Sequence, residues 1–231
     1  MKIAFEPFRF DHGLLSDFNT DGFPTSLYAW KGDVLGLPPG ATYFGYVYED
    51  FSTLCYGESE FRLKTGMYFS VPGEAKISGG KGIAVSRPGY TGFFQIGGPI
   101  ERRGRLKYID GCTDSLLVAP ILKGDPCLNL LYFPPGINQT QHAHPSNRIG
   151  LVANGFGECI TPKGCTPLFP GQIFIIHAEG LHSFRTDGSD MRVIAYHPDS
   201  DFGATHEDHP MINRTMVNGL SASKIAEIRT T

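Results

Sequence analysis

The hydrophobic positions of this chain fall into short runs that are separated by turn residues. From residue 41 onward the runs are TYFGYVYED, FRLKTGMYFSVPG, GIAVSRPGY and GFFQIGG, each rich in β-branched and aromatic residues. Short strands bounded by Gly, Pro, Asp and Asn are typical of a β-sandwich or β-barrel. The pattern therefore predicts an all-β fold.

The same pattern of short apolar runs and turn residues recurs after residue 125, in CLNLLYFPPG, RIGLVANGFGECIT, PGQIFIIHAEGLHSF and MRVIAYHP. Two stretches also share a local sequence pattern, in which a Gly turn precedes a short apolar strand: KTGMYFSVPG at 64–73 and FPGQIFIIHAEG at 169–180. The segment between the two halves ends in the turn signal Gly-Asp-Pro. We therefore expect two copies of one architecture, a first domain over residues 1–124 and a second over 125–231.

The residues after the last of these strands are mostly polar. The stretch 198–213 is longer than a usual connection, and we expect it to pack across an edge or mouth of a barrel. Its His206 and His209 either cap a pocket or lie in a solvated loop. Beyond it, SASKIAEIR predicts a short C-terminal helix with a Ser cap.

Composition and charge exclude several classes of function. The 231 residues carry 20 basic and 23 acidic side chains, a net charge of -3, without a Lys/Arg-rich run, so nucleic acid is not an expected partner. No stretch approaches the roughly 20 apolar residues that span a bilayer, and the start lacks a signal-peptide pattern. We expect no membrane contact, a cytoplasmic location, and reduced, mostly buried cysteines.

Histidine is the residue type that points to chemistry. Of the eight histidines, all but His12 lie in the second half. His142 and His144 stand two positions apart, so a β-strand would turn both imidazoles to one side. A third imidazole from a neighbouring strand would complete a facial metal site. An H-x-H pair alone is weak evidence, because most such pairs lie on surfaces or pack in cores.

The surroundings of this pair resemble the first conserved motif of the cupin superfamily. Five residues separate Gly136 from the pair, three separate the pair from Arg148, and six separate Arg148 from Gly155. These are the spacings of that motif, in which the position of Arg148 is held by Glu.

The second cupin motif begins with a Gly, has a Pro six positions later, and places its His a further five on. Here Gly171, His177 and His182 stand at those intervals, with His177 in the place of Pro. The resemblance implies two jelly-roll barrels, each a double-stranded β-helix. It also implies a metal ion on His142, His144 and His182. Because no histidine lies between His12 and His142, it implies a bicupin whose first barrel is degenerate and has no metal ligands.

Arg148 is the main departure from the family pattern. Its guanidinium has no lone pair and stays protonated, so it cannot replace the Glu that usually ligates the metal. Three neutral imidazoles suit Fe(II), with Ni, Zn, Mn, Co or Cu as competitors. We expect Arg148 to bind an anionic or chelating substrate, and Gly150, on the same face by strand alternation, to leave room for it.

Three other residues each have two interpretations. Glu179, where the family has Gly, is either a fourth ligand or partner of Arg148, or a solvent-facing turn residue. His177 either packs at a strand end or orients a liganding imidazole. Tyr132 either lines the cavity as an acid, base or hydrogen-bond donor, or belongs to the core.

Three functions are compatible with these residues. The first is an Fe(II) dioxygenase that acts on a small anionic or chelating molecule. The second is an isomerase, lyase or hydrolase that uses the ion as a Lewis acid, and the third is a non-catalytic protein that binds a small molecule. We favour the dioxygenase. Neither the substrate nor the metal can be read from the sequence, and a monomer and a homodimer are both compatible with it.

Overall fold

The structure is a computed structural model that describes residues 3–199, 216–217, 219–221 and 224–225. Within these residues the regular elements are β-strands, apart from a 3-10 turn at Ile109–Gly111 and a 3-10 residue at Lys224. The prediction of an all-β chain is therefore confirmed. None of the helical segments in the described part of the chain is long and apolar enough to cross a membrane.

Two sheets are formed by strands of the first half. The strands of the large sheet are β2 (Gly13–Asp17), β3 (Ser26–Lys31), β5 (Ala41–Glu49), β8 (Tyr68–Pro72), β10 (Lys81–Pro88) and β11 (Gln95–Gly97). The strands of the small sheet are β4 (Leu35–Leu37), β6 (Ser52–Tyr56), β7 (Ser59–Leu63) and β9 (Ala75–Ser78). Their orders are β11-β8-β5-β10-β3-β2 and β4-β9-β6-β7, and all the pairings are antiparallel.

Two further sheets contain the strands of the second half. The strands of the large sheet are β1 (Phe5–Phe8), β12 (Leu106–Lys107), β13 (Thr113–Val118), β14 (Cys127–Phe133), β15 (Arg148–Gly155), β18 (Ile173–Ile176) and β20 (Met191–His197). The strands of the small sheet are β16 (Gly157–Thr161), β17 (Gly164–Leu168) and β19 (Ser183–Arg185). The orders are β1-β18-β15-β20-β14-β13-β12 and β17-β16-β19.

Three hydrophobic cores lie between the four sheets. One core joins the two large sheets, and each of the others joins a large sheet to the small sheet of its own half. On β15, for example, Ile149 and Leu151 belong to the central core, whereas Val152 belongs to the core of the second half. The large sheets are thus covered on both faces, which explains why their strands appear as unbroken apolar runs in the sequence.

The two halves repeat an unusual contact between a glycine and an aromatic ring. Gly45 pairs with Phe69 between β5 and β8, and Gly150 pairs with Phe174 between β15 and β18. A Cβ atom would lie 2.0 Å from the phenylalanine ring at Gly45 and 2.2 Å from it at Gly150. Both phenylalanines lie in the local sequence pattern that the two halves share, at 64–73 and 169–180. The contact supports the prediction of two copies of one architecture.

Strand pairing crosses the predicted division at residue 124. β1 pairs with β18, and β12 and β13 extend the same sheet beyond β14. Three strands that precede residue 124 therefore belong to the large sheet of the second half. The division into domains of 1–124 and 125–231 stays a prediction, to which the structure adds this exchange of strands.

The C-terminal segment is described only in part. A two-stranded hairpin consists of β21 (Met216–Val217) and β22 (Leu220–Ser221). Ser221, the first residue of the predicted C-terminal helix, is in β22, and most of that helix lies outside the described residues. The predicted covering loop at 198–213, with His206 and His209, also lies outside them except for its first two residues.

Candidate metal centre

The three predicted metal ligands lie side by side. The ring centroid of His142 is 4.5 Å from that of His182 and 5.1 Å from that of His144, and the remaining distance is 5.3 Å. One ring nitrogen of each lies within 4.8 Å of those of the other two. Nitrogens bound at about 2.0–2.1 Å to one ion lie roughly 3–4 Å apart, so small ring rotations fit this group to an ion. The three-His group can bind a divalent metal.

The backbone holds these ligands in position. His142 and His182 form an antiparallel β-bridge, in which each N–H donates to the other carbonyl at 2.9 Å. The carbonyl of His144 accepts a hydrogen bond from the N–H of Glu179 at 2.7 Å. Hydrogen bonds between the two motifs therefore bring the histidines together without help from an ion.

Hydrogen bonds to two of the rings select the nitrogen that faces the site. Nδ1 of His142 lies 2.8 Å from the carbonyl of Thr140, and Nδ1 of His182 lies 2.9 Å from the carbonyl of Gly180. A carbonyl only accepts, so each Nδ1 carries the proton and each Nε2 keeps a free lone pair. A backbone carbonyl behind the ring is a usual orienting partner of a metal-binding histidine.

Two ligands are held in the neutral form that metal binding needs. Burial lowers the pKa of His144 to about 3 and that of His182 to about 4, and the positive charge of Arg148 acts in the same direction. Imidazoles with such a low pKa are unprotonated near pH 7 and give up no proton when an ion binds.

These pKa values predict an acid-sensitive metal-free protein. Between pH 6.5 and about 4, the unfolded chain protonates His144 and His182 while the folded chain does not. The unfolded state then binds more protons, so the free energy of unfolding falls as the pH falls through this window. Urea denaturation at pH 7.5 and pH 5 should show the loss, and a His144→Gln, His182→Gln variant should show less of it. Equal losses in both proteins would contradict the assignment.

Arg148 is already paired in the described structure. Its guanidinium Nη1 lies 2.6 Å from Oδ1 of Asp199, and Ser146 bonds to both side chains. The exposed fractions of the Arg148 and Asp199 side chains are only 13% and 16%. Nε of Arg148 is buried and has no acceptor among the described residues. Its role as a substrate-binding residue stays a prediction.

The expectation that Gly150 leaves open room near the ion was wrong. Gly150 does line the same cavity as Arg148, as strand alternation predicts. The ring of Phe174, from the neighbouring strand β18, occupies the space where a Cβ would stand. Gly150 is therefore required by packing, and its use in substrate binding stays a prediction.

Tyr132 and His177 do not take the places that a catalytic role would need. Leu131 and Phe133 line the cavity beside the histidines, so Tyr132, between them on β14, points to the opposite face. His177 Nε2 lies 2.9 Å from a carboxylate oxygen of Glu6, in a separate groove. It orients none of the three ligands.

Glu179 is not a fourth ligand. Among the described residues the only histidine, cysteine or acidic side chains in the metal-binding group are the three histidines. Glu179 is exposed and has a φ of 61°, the left-handed conformation that explains why glycine is usual there. Glu179 contributes its backbone N–H, which donates to the carbonyl of His144. Its side chain faces solvent, which is the second of the two interpretations given above.

The structure adds two residues that the sequence did not single out. His197 lies with its ring centroid 6.4 Å from that of His144, and burial holds its pKa well below the ordinary value. Tyr108 also lines the cavity, and burial raises its pKa to about 12, so its phenol remains protonated. His197 is the last residue of β20, and strand alternation from Ala195 could have found it. Tyr108 lies near the end of the first predicted domain, in the segment that joins the two halves, where no pattern indicated it.

The cavity around the histidines is small and mostly apolar. Its volume is about 30 Å³, enough for about one water molecule or ion. An open pocket of about 370 Å³ reaches His144 and Arg148 from outside and is also lined by Lys123 and Asp199. The open pocket therefore connects His144 and Arg148 with the surface.

Comparison with known proteins identifies the fold. No protein-family model and no curated protein sequence matches the chain. A cupin 2 conserved barrel domain protein from Leptotrichia buccalis superposes with a TM-score of 0.61 over 85% of this chain and 97% of that chain, at 12% identity. The chain has the cupin fold.

Other solved structures agree on this fold. Protein Ylba from E. coli has a TM-score of 0.58 and 16% identity, covering 85% of this chain and 84% of that chain. A salicylate 1,2-dioxygenase from Pseudaminobacter salicylatoxidans has a TM-score of 0.55 and 12% identity, covering 80% and 75%. At such identities the likeness concerns the fold, and the resemblance inferred from the two motifs is confirmed at that level.

The first half of the chain has apolar residues at the corresponding bridge. Leu37 pairs with Ala75 where the second half pairs His142 with His182. In the first half, Ala75 lies two residues before the residue of β9 that pairs with the middle of β6. In the second half, His182 lies two residues before the residue of β19 that pairs with the middle of β16. The two bridges therefore hold equivalent positions. At these two positions the first half has core residues in place of histidines, and the degenerate first barrel stays a prediction.

Proposed function

We propose that the chain is a metal-dependent cupin enzyme, a three-His Fe(II) dioxygenase that acts on a small anionic or chelating organic substrate. The observation that carries the proposal is the group of His142, His144 and His182, in which two rings donate Nδ1–H to backbone carbonyls and present Nε2. When bound, Fe(II) would supply open coordination positions and electron transfer to dioxygen. Three neutral ligands leave its double positive charge to attract an anion.

The charges around the entrance support an anionic substrate. Lys123 and Arg148 line the open pocket beside His144, and Asp199 balances one of the two positive charges. The unpartnered Nε of Arg148 can donate a charge-assisted hydrogen bond to a carboxylate or enolate. Arg148 would thus orient the substrate, and the apolar cavity wall would exclude water from the reacting end.

The neighbouring dioxygenase supports the same substrate class. Its name gives salicylate as a substrate, a carboxylate with an adjacent hydroxyl group that can chelate a metal. At 12% identity this support concerns the class of chemistry and leaves the particular substrate open.

The test is oxygen consumption by protein loaded with Fe(II) under anaerobic conditions. A panel of salicylate, a 2-oxo acid and a 1,3-diketone would be mixed with oxygenated buffer at an oxygen electrode. We expect one class of compound to consume oxygen in step with product formation, in the iron form and not in the zinc form. Product formation at full rate without oxygen would contradict the proposal.

A Lewis-acid enzyme is the second candidate, and Tyr108 favours it. The phenol lies in the histidine cavity and keeps its proton at neutral pH, so it can donate that proton or a hydrogen bond to a polarised carbonyl. Such an isomerase, lyase or hydrolase would turn over without oxygen in the zinc or manganese form. The same substrate panel, followed anaerobically by NMR, separates the two functions.

A further inference from the structure

We propose that Asp110 is a positioning residue of the metal centre, which fixes the direction of the His142 ring through the backbone of Thr140. Asp110 is not a member of the metal-binding group and acts only through its neighbour. The inference deepens the proposed function and rests on it, because the direction of the His142 ring matters to that function only if the ring binds an ion.

The segment before His142 has one residue more than the segment that it faces. The N–H of Gln139 donates to the carbonyl of Phe184 at 3.0 Å. The next pair along the two segments is the bridge of His142 with His182. Two residues of the first segment therefore oppose a single residue, Ser183, of the second. A residue inserted in this way, as in a β-bulge, redirects the side chains beside it.

The first half of the chain has no such insertion at the equivalent place. Leu35 pairs there with Ile77. The next hydrogen-bonded strand positions that correspond to the histidine bridge are Leu37 and Ala75, and the single residue Gly36 lies between the two pairs. The extra residue therefore occurs in the half that contains the histidines, directly before a predicted ligand.

Both backbone groups of Thr140, one of the two residues at the insertion, are bonded to side chains. Its N–H donates to Oδ2 of Asp110 at 2.7 Å, and its carbonyl accepts from Nδ1 of His142 at 2.8 Å. A hydrogen bond from a backbone N–H to a carboxylate is charge-assisted and about twice as strong as a neutral one. Asp110 therefore holds the residue whose carbonyl orients the ring.

The conformation of Asp110 supports a role beyond its own turn. Its φ of 52° lies in the left-handed region, which is unfavourable for a residue other than glycine. An aspartate in a turn usually bonds to its own backbone two residues on, whereas Asp110 bonds to a residue 30 positions away. Among the described residues it forms no ion pair. The carboxylate is thus directed to the metal-binding segment.

The turn that contains Asp110 contacts the same segment at further points. Tyr108 lines the histidine cavity, and Sγ of Cys112 accepts a hydrogen bond from the side-chain amide of Gln139 at 3.4 Å. Gln139 directly precedes Thr140 and also lines the cavity. Residues 108–112, which belong to the first half in sequence, therefore support the segment that leads to the first ligand.

The first test compares substitutions of Asp110 by their effect on Co(II) affinity, measured by calorimetric titration. Asp110→Gly keeps the left-handed backbone and removes the acceptor, whereas Asp110→Asn keeps an acceptor oxygen. We expect the affinity to fall about tenfold in Asp110→Gly, the lower end of the effect of residues that orient a ligand, and Asp110→Asn to recover most of this loss. Asp50→Gly is the matched control, at an exposed aspartate with a φ of 59°, and should change nothing.

The second test observes the His142 ring without a metal. In protein that contains nitrogen-15-labelled histidine, long-range proton–nitrogen NMR correlations show which ring nitrogen carries the proton. We expect His142 to carry it on Nδ1 in the wild type and to be a mixture of tautomers in Asp110→Gly. His182, whose Nδ1 bonds to the carbonyl of Gly180, is the internal control and should keep the proton on Nδ1 in both proteins.

The outcomes separate this inference from the proposed function. An unchanged Co(II) affinity or an unchanged His142 tautomer in Asp110→Gly would overturn the positioning role. Equal losses of affinity in Asp110→Gly and Asp110→Asn would overturn it as well, because the acceptor would then not be the cause. If the wild type binds no Co(II), the metal centre of the proposed function fails, and the tautomer of His142 alone decides whether Asp110 orients the ring.

Discussion

His142→Ala is expected to abolish tight binding of a divalent metal. The substitution removes one of the three side-chain donors that the described residues provide, and His144 and His182 alone cannot close a facial site. Loss of a residue that merely orients a metal ligand costs about 10–100-fold in affinity, so loss of a ligand should cost more than about 100-fold. Elemental analysis of protein purified from metal-replete medium should fall from about one ion per chain to a trace, and calorimetric titration with Co(II) should give the affinity.

The matched control is His177→Ala. His177 lies in the same half but pairs with Glu6 in a separate groove, so its loss should leave the metal content unchanged. If the two variants kept the same metal content, the three-His centre would be disproved. If both lost the metal, the metal would bind the chain through histidines in general and not through the proposed group.

The position of the metal centre could be predicted from sequence because two local rules coincide. The H-x-H pair and the resemblance of the two motifs to those of cupins indicated the three histidines, although in the structure His142 is an isolated bridge residue and His144 lies outside any strand. What the sequence does not contain is the reciprocal β-bridge between His142 and His182. That bridge depends on long-range pairing of the two motif loops, for which the residues themselves carry no periodic signal.

The orientation of side chains on the large sheet could not be predicted in the same way. On β14, Leu130 faces the central core and Leu131 faces the core of the second half. Where both faces of a strand are buried, hydrophobicity does not alternate, and nothing in the sequence says which face holds the cavity. Tyr132 was therefore a candidate for the cavity although it points away, and Tyr108 was not a candidate although it lines it.

Contacts that join distant segments explain the remaining differences. The salt bridge of Arg148 to Asp199 and the contact of His177 with Glu6 both join residues far apart in the chain. The same holds for β1, which pairs with β18 although it belongs to the first half in sequence. The pattern of short apolar runs was enough to predict the fold class. Which strands pair with one another depends on the complete packing of the chain.

The second large effect is expected from Gly150→Ala, which should destabilise the protein and disturb the metal centre together. The new methyl group would lie 2.2 Å from the Phe174 ring, closer than any real contact. That ring cannot move aside freely, because it is buried and stacks on Phe5 at 5.4 Å and packs against Phe184 at 5.9 Å. Overpacking of this kind costs about 3 kcal/mol, a loss of roughly 6–12 °C in melting temperature.

The disturbance should reach the metal because Phe184 packs edge-on against His182, with their ring centroids 5.6 Å apart. Displacement of Phe174 toward Phe184 would therefore shift a ligand, and we expect weaker Co(II) binding in addition to a lower melting temperature. Gly36→Ala is the matched control: it adds the same methyl group on a strand, with no atom within 4 Å and no unusual φ, and should change neither quantity. A Gly150→Ala protein as stable as Gly36→Ala would show that the ring over the glycine is not a fixed part of the centre.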